Sequence, residues 1–243
     1  AVLFLAFNKS IADELAPQMP DFAKAKTFHS VGFSAWARAN GGFDAVQVNQ
    51  HKVRNIVRDL LTDEENALFG KFVIQLVGYA KSYGVGKLCR ASVPALKALV
   101  ENFGMYVEAE EDGVSEEDQT LAAMQKALVV LAANNEMKQI IDYDDMLYLP
   151  LLYDVSFFRN DVVFVDECQD TNMVQVELIG RMLKGNGRVI AVGDRAQAIY
   201  GFRGASSAAM DNMKERFLMA ELPLSVCYRC AKAVVREAQT LVP

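Results

Sequence analysis

Two neighbouring carboxylates, Asp166 and Glu167, directly follow the short apolar run Val162 to Val165 in the segment VVFVDECQD. The run is typical of a buried strand, and ligands of open α/β sheets bind beyond the carboxyl ends of the strands. One carboxylate there can hold the Mg²⁺ of a nucleotide, and a second can accept the proton of an attacking water. Two adjacent acidic residues alone would fit an exposed junction between a strand and a loop equally well. The following Gln169 and Asp170 favour a nucleotide site.

A second polar segment, AVGDRAQAIYGFRGAS at residues 191–206, also follows an apolar run. Gln197 is placed where it could reach a γ-phosphate. Tyr200, Phe202 and Arg203 are interleaved with glycines, and aromatic side chains beside an arginine suit stacking on unpaired bases. For these aromatic residues taken alone, core packing is the more common role. The segment therefore predicts contacts with a nucleotide and with single strands, and core packing stays open as the alternative.

Strands and helices alternate at both ends of the chain, which is the pattern of a parallel α/β sheet. Strands are predicted at Ala1 to Phe7, Ala23 to Thr27, Val162 to Val165, Arg188 to Val192 and Met219 to Leu224. Helices are predicted at Lys9 to Leu15, His29 to Ala39, Asn172 to Leu183, Ser206 to Phe217 and Ala231 to Leu241. We expect the strands that begin at Ala1, Val162 and Arg188 to share one parallel sheet, because helices separate these buried-type runs.

This arrangement places Asn8, Asp166 and Asp194 along one edge of the sheet, with Glu167 and Gln197 facing a common cavity.

The middle of the chain, residues 49–152, has helical periodicity and almost no strand pattern. Helices are predicted at Asn49 to Leu61, Asp63 to Tyr83, Val93 to Phe103, Thr120 to Asn135 and Asp142 to Leu152. The acidic stretch from Glu108 to Asp118 is interpreted as a solvated loop between helices. We therefore expect residues 46–155 to form a large α-helical insertion between the two parts of an α/β domain, residues 1–45 and 156–220.

Composition narrows the class of protein. The chain has 243 residues, of which 52% are hydrophobic, and a net charge of −6. The acidic balance of charges argues weakly against a simple basic nucleic-acid coat and does not exclude a local basic groove. Four cysteines are too few for a disulfide scaffold, and the single CxxC of Cys227 and Cys230 lacks a second pair of zinc ligands. The sequence has no apolar run of about 18 residues, the length of a membrane span, and no signal peptide. We therefore expect no membrane partner and a cytoplasmic, nucleoid or nuclear location.

Five segments resemble, in the same order, the motifs of UvrD/Rep-type superfamily 1 ATP-dependent DNA helicases. They are LAFNKSIADEL at residues 5–15 (motif Ia), TFHS at 27–30 (Ib), DECQD at 166–170 (II), GDRAQAIYGFRGA at 193–205 (III) and LPLSVCYRC at 222–230 (IV). IDYDDML at 141–147 is similar to the segment that precedes motif II in this family. Within motif Ia, the sequence FNKSIA is most similar to that of the F-box DNA helicase branch and its phage and bacterial relatives. The resemblance implies a parallel RecA-like (P-loop NTPase) sheet with helices on both faces, and the start of a second motor domain at residues 221–243.

The resemblance also implies roles at the ATP site. Asp166 corresponds to the Mg²⁺ ligand and Glu167 to the general base for water. Gln197 resembles the γ-phosphate sensor, and Arg229 the motif IV arginine that reaches the γ-phosphate across the cleft between two motor domains. Cys227 stands where the family usually has asparagine.

Six residues fall where the family contacts single-stranded DNA: Asn8, Thr27, His29, Tyr200, Phe202 and Arg203. For His29, a cap at the start of the helix is the competing interpretation. The parent implied by the resemblance is an ATP-dependent 3′–5′ DNA helicase that uses ATP and Mg²⁺ and moves on single-stranded DNA. A non-catalytic module that binds DNA or protein, and part of a RecB- or AddA-type helicase–nuclease, are the alternatives.

The family's phosphate-binding loop is expected one strand–loop–helix unit before Ala1, and YGVGKL at residues 83–88 fails the pattern G-x-x-x-x-G-K followed by Ser or Thr. We therefore expect the isolated chain to be a fragment that is inactive as an ATPase. An uncovered sheet edge would favour self-association.

Overall fold

The computed structural model of the chain describes residues 1–108, 115–198, 208–224 and 226–241. Its strands are β1 Val2–Ala6, β2 Ala23–Thr27, β3 Gln47–Val48, β4 Ile140–Ile141, β5 Asn160–Val165 and β6 Leu183–Ala191. Its α-helices are α1 Lys9–Leu15, α2 Phe28–Ala39, α3 Lys52–Leu60, α4 Asp63–Ser82, α5 Val93–Asn102, α6 Glu116–Glu136, α7 Asp145–Leu152, α8 Met173–Arg181, α9 Ala209–Phe217 and α10 Lys232–Leu241.

Four strands form one parallel sheet in the order β2-β1-β5-β6. Leu3 and Leu5 of β1 and Val163 and Val165 of β5 are buried on one face, in a core that also takes residues from α2, α7, α8 and α9. Alternate residues of these strands point to this core because successive side chains of a strand lie on opposite faces. Helices cover both sides of the sheet, which confirms the predicted α/β fold class.

The opposite face of the sheet carries a row of apolar side chains in register, Phe4 of β1, Phe164 of β5 and Ile190 of β6. The rings of Phe4 and Phe164 stack with centroids 6.2 Å apart. Ile190 is 45% exposed and Val192, just beyond the strand, is 51% exposed. Apolar surface on this face therefore becomes progressively more open to solvent towards the edge strand β6.

The middle of the chain forms a helical lobe, α3 to α6, with its own hydrophobic core. Leu76 of α4, Leu96 of α5 and Val130 of α6 are fully buried there. A two-stranded parallel sheet, β3 with β4, joins the segments on which the chain leaves and returns. These two-residue strands went unpredicted because they are too short to show an alternating pattern.

One predicted strand is wrong and one is too short. Met219 to Leu224 forms no strand, and Leu222 and Leu224 are 84% and 89% exposed. In the part of the chain that the structure describes, no strand pairs with this apolar run. Strand β6 begins at Leu183 rather than Arg188: Asn160 pairs with Leu183, and the register then shifts so that Val162 pairs with Arg188. Within the described residues, no helix is long and apolar enough to cross a bilayer.

Candidate functional site

A cavity of about 530 Å³ opens at the carboxyl ends of β1, β2 and β5, between the sheet and the helical lobe. Its walls are lined by Phe7, Asn8, Phe28, His29, Gln75, Gly78, Tyr79, Lys81, Ser82, Asp144, Leu147, Tyr148, Asp166, Glu167, Asp170, Thr171, Asn172, Val174 and Gln175. The cavity thus brings together Asn8, His29, Asp166 and Glu167, four of the residues predicted from sequence.

The two predicted catalytic carboxylates sit on a sharp turn at the end of β5. The backbone N–H of Asp166 still donates to the carbonyl of Leu5 (3.1 Å), as in the sheet. Glu167 then adopts a left-handed conformation (φ 49°, ψ 46°) and leads into a short 3₁₀ turn, Cys168–Asp170. A non-glycine residue in this conformation costs of order 1–3 kcal/mol, which the surrounding contacts must offset. The strained turn aims both carboxylates into the cavity rather than along the sheet.

A chain of hydrogen bonds connects the loop after β5 with the loop after β6. Gln169 donates from Nε2 to Glu167 Oε2 (2.6 Å) and accepts at Oε1 from the backbone N–H of Asp194 (3.0 Å). Asp194 in turn accepts at Oδ2 from Nε2 of Gln197 (2.8 Å). Gln169 is buried, so its side chain has few alternative orientations. The sequence places Gln169 beside the acid pair but does not predict that its side chain connects the two loops.

Gly193 allows these two loops to approach each other. A Cβ added there would lie 2.5 Å from Gln169 Oε1, 2.7 Å from Cys168 Sγ and 3.1 Å from the backbone nitrogen of Gln169. The two nearest atoms are side-chain ends, but both residues are buried and Gln169 is held by hydrogen bonds at both ends of its amide, so neither side chain can move aside cheaply.

Gly193→Ala is therefore expected to destabilise the fold by about 1–3 kcal/mol, the usual cost of overpacking. Urea denaturation measures this loss. Gly185→Ala is the matched control, since a Cβ at Gly185 meets nothing within 4 Å. Equal stability of the two variants would show that the loops are not in close contact.

Two of the predicted DNA contacts also begin helices. Asn8 Oδ1 accepts from the backbone N–H of Ile11 (2.9 Å) and caps α1. Thr27 Oγ1 accepts from the backbone N–H of Ser30 (3.1 Å) and caps α2. The cap of α2 is thus Thr27 rather than His29, which resolves the alternative for His29. The positive end of the α2 dipole lies at the cavity edge, where it favours an anion.

His29 lies on the cavity wall between the sheet and the lobe. Its ring makes an edge-to-face contact with Tyr143 (centroids 6.4 Å apart). Burial lowers the pKa of His29 below its ordinary value, so the imidazole is neutral at pH 7. It therefore offers a hydrogen bond or a stacking surface to a ligand, not a positive charge.

Next to the cavity, and reaching its wall at Lys81, lies a group of paired charges, which we name the buried charge cluster: Lys52, Lys81, Asp142 and Asp145. Asp145 accepts from Lys52 (2.7 Å) and pairs with Lys81 (2.8 Å), and Asp142 accepts from Lys81 (2.6 Å). All four residues are buried. The two aspartates come from the IDYDDML segment and the lysines from α3 and α4, so the cluster ties the lobe to the segment that leads back to the sheet.

Asp144 extends from this cluster into the cavity. The pKa of Asp144 is raised to about 6, mainly because the concave wall desolvates the carboxyl, although the residue is exposed at the cavity. The charge of Lys81 opposes this rise, and the charges of Asp142 and Asp145 add to it. The carboxylate therefore disfavours the folded state at neutral pH. Between its ordinary pKa and about 6 the folded chain binds more protons than the unfolded chain, so this contribution to stability falls as pH rises.

We expect Asp144→Asn to raise the free energy of unfolding at pH 7 and to have little effect near pH 4, where the carboxyl is largely protonated in the folded state. Urea denaturation at both pH values checks this. Asp13→Asn, an exposed residue on α1, is the control for a general charge effect. If Asp144→Asn raised the free energy of unfolding as much at pH 4 as at pH 7, the raised pKa of Asp144 would be contradicted.

Two further predicted site residues that the structure describes, Gln197 and Arg229, do not line the cavity. Gln197 is exposed and is not among the lining residues, although the hydrogen-bond chain connects it to Glu167. Arg229 is exposed in the segment before α10 and does not line the cavity either. Tyr200, Phe202 and Arg203 lie outside the described residues.

The donor set of the site fits a magnesium nucleotide better than a metal held by protein alone. Within the described ranges, no group of three or more His, Cys, Asp or Glu side chains could hold a metal ion. Mg²⁺ is bound through one or two carboxylates together with phosphate oxygens and water. Asp166, half-buried on the cavity wall, supplies such a carboxylate.

Comparison with known proteins gives relatives that are much longer than this chain. The chain is 25% identical to the "Probable DNA helicase II homolog" of Mycoplasma pneumoniae over 99% of its own length and 35% of the relative's. It is 26% identical to "F-box DNA helicase 1" of Gallus gallus, over 84% of this chain and 20% of that protein. It is 30% identical to "ATP-dependent DNA helicase Rep" of Escherichia coli, over 42% of this chain and 17% of that protein. The chain thus spans about a third or less of the length of these relatives.

The family described as "UvrD/REP helicase N-terminal domain" matches residues 7–218. This span includes β5, β6 and the loops that carry Asp166, Glu167 and Gln197, as well as the helical lobe. Since the match covers most of the chain and the parallel sheet agrees with it, the chain belongs to the UvrD/REP helicase N-terminal domain family.

Proposed function

We propose that the protein to which this chain belongs is an ATP-dependent DNA helicase that moves 3′ to 5′ on single-stranded DNA. The observation that carries the proposal is the pair Asp166 and Glu167, aimed from a strained turn at the carboxyl end of a parallel strand into a cavity of about 530 Å³. Open α/β sheets bind their ligands at this edge. The names of the relatives support the same activity.

In this proposal each side chain has a separate task. Asp166 holds Mg²⁺, which neutralises charge on the nucleotide phosphates when it is bound. Glu167 accepts the proton of the attacking water. Gln169 fixes the carboxylate of Glu167 with its 2.6 Å hydrogen bond and limits its rotation. Gln197 senses the γ-phosphate and transmits a change through Asp194 and Gln169 to the acid pair, and Arg229 reaches the same phosphate from the second motor domain.

The DNA strand is proposed to cross the carboxyl edge of the sheet. Asn8 and Thr27 place two helix starts there, and His29 offers a neutral ring on the cavity wall. Tyr200, Phe202 and Arg203 would supply stacking surfaces, each base contact being worth about 1–3 kcal/mol. Binding of this type tolerates many sequences and weakens with salt.

Strand separation by the full-length protein tests the proposed function. The substrates are duplexes with a single-stranded tail on either the 3′ or the 5′ side, mixed with ATP and Mg²⁺. We expect unwinding of the 3′-tailed duplex, and none when ATP is replaced by a non-hydrolysable analogue. Unwinding only of the 5′-tailed duplex would refute the polarity, and ATP hydrolysis that DNA does not stimulate would refute the helicase assignment.

We also propose that the chain self-associates through the face and edge of β6. Ile190 and Val192 expose apolar surface beside an edge strand, and such edges pair with other chains when they are not covered. Sedimentation velocity over a range of concentrations should show a shift to larger species, which the substitutions Ile190→Lys and Val192→Lys reduce. A monomer at every concentration would contradict this.

A further inference from the structure

Two cysteines, Cys227 and Cys230, bracket Tyr228 and Arg229 directly before α10. Both are free and exposed. The backbone N–H of Cys230 donates to Cys227 Sγ (3.5 Å), so the segment is already folded back towards its own start. The same segment carries Arg229, which the proposed function assigns to the nucleotide.

The surroundings of Cys227 favour its thiolate. The pKa of Cys227 is lowered, first by the backbone N–H of Cys230, then by that of Arg229, and further by the Cys230 thiol and the charge of Arg229. The thiolate is the form that attacks a disulfide. Cys168 is the opposite case, because burial raises its pKa to about 11. Among the four cysteines, Cys227 therefore combines exposure, an activated sulfur and a second thiol three residues away.

The two cysteines fit a metal site less well than they fit a disulfide. Two thiolates supply half of a tetrahedral zinc site, and no group of three or more metal-binding side chains exists in the part of the chain that the structure describes. The spacing and exposure instead fit two thiols that react with each other.

We propose that Cys227 and Cys230 form a reversible intramolecular disulfide by exchange with a small disulfide such as oxidised glutathione, and that this bond controls the position of Arg229. The second part rests on the proposed function. The Cys227 thiolate attacks one sulfur of the glutathione disulfide and displaces one glutathione thiolate. The Cys230 thiol then loses its proton to solvent, attacks the Cys227 sulfur and displaces the second glutathione. The chain loses two electrons and two protons, and the glutathione disulfide is reduced to two thiols.

Closure of this small ring restricts the backbone across Tyr228 and Arg229. The restricted backbone would then keep the guanidinium of Arg229 from moving to the position in which it contacts a γ-phosphate. Misplacement of a nucleotide-positioning group by about 1 Å costs on the order of 100-fold in rate. Oxidation would thus switch off nucleotide turnover without any change to Asp166 or Glu167.

Thiol chemistry on this chain tests the disulfide. The chain is incubated with oxidised glutathione, the remaining thiols are alkylated, and the products are mapped by mass spectrometry. We expect the peptide with Cys227 and Cys230 to lose two hydrogens and to carry no glutathione. Cys230→Ser should trap glutathione on Cys227, whereas Cys227→Ser should react slowly at Cys230. Exposed Cys89 is the internal comparison. Two free thiols, or a stable adduct on each cysteine, under conditions that modify Cys89, would overturn the proposal.

ATP turnover by the full-length protein tests the control of Arg229. We expect the oxidised protein to lose activity on the order of 100-fold and to regain it with dithiothreitol, and the variant with both Cys227→Ser and Cys230→Ser to be insensitive to the oxidant. Unchanged turnover after the disulfide has formed would overturn the control of Arg229. A protein without turnover in either redox state would instead refute the proposed function, and the thiol mapping would still decide on the disulfide.

Discussion

Replacing Asp145 with alanine is expected to lower the free energy of unfolding by about 3–5 kcal/mol, because it breaks a buried ion pair and leaves the partner charges uncompensated. Burial alone would raise the pKa of Asp145, but Lys81 and Lys52 outweigh burial and lower it, so the carboxylate is charged in the folded chain. Without it, Lys52 would lose its 2.7 Å ion pair and Lys81 would keep only its pair with Asp142. Since domains are stable by only about 5–15 kcal/mol, the variant loses a large part of its stability.

Urea denaturation of the wild type and the variant measures this loss. Asp161→Ala is the matched control, because Asp161 pairs with Lys184 at 2.9 Å on the surface, where both side chains are half-exposed. The control should change the free energy of unfolding by no more than about 1 kcal/mol. If Asp145→Ala is as stable as Asp161→Ala, the buried charge cluster does not support the lobe.

The second large effect is expected from Glu167→Gln in the full-length protein. Loss of a general base lowers kcat by about 10²–10⁴-fold, since the amide cannot accept a proton from water. Nucleotide binding should be largely retained, because Asp166 remains available for the metal. The hydrogen bond from Gln169 is also kept if the new amide presents its oxygen to Nε2.

Steady-state hydrolysis of ATP with single-stranded DNA, together with nucleotide binding by equilibrium titration, checks this prediction. Glu177→Gln on α8 is the control of the same type, since Glu177 pairs with Arg216 on the surface and does not line the cavity. A variant Glu167→Gln that hydrolyses ATP as fast as Glu177→Gln would show that another group is the base.

Most of the sheet could be predicted because its signals are local. Apolar runs of four to seven residues mark β1 and β5, and polar residues with helix-capping side chains follow the strands, as at Asn8 and Thr27. The run from Met219 to Leu224 has the same local signal yet forms no strand. A strand needs a neighbouring strand to hydrogen-bond its backbone groups. The residues of the run do not show whether such a neighbour is present.

The site was only partly predictable for a related reason. Asp166 and Glu167 are adjacent to a strand end, so their position could be inferred from the sequence. The buried charge cluster could not, because Lys52 and Lys81 lie 93 and 61 residues from Asp145 and Asp142 in the chain. Charged side chains are also expected on the surface unless they are paired. Only folding of the lobe reveals that these lysines have partners.

The pairing of β3 with β4 has a consequence for how this protein can change during evolution. Gln47 donates its backbone N–H to Gln139 (2.7 Å), and Asn49 donates to Ile141 (2.8 Å), so the two ends of the lobe are held side by side. The entropy cost of closing the intervening segment grows only slowly with its length. Segments between these ends that belong neither to the buried charge cluster nor to the cavity wall can therefore be lengthened or shortened while the sheet keeps its register. New binding surfaces can be acquired there without rebuilding the acid pair.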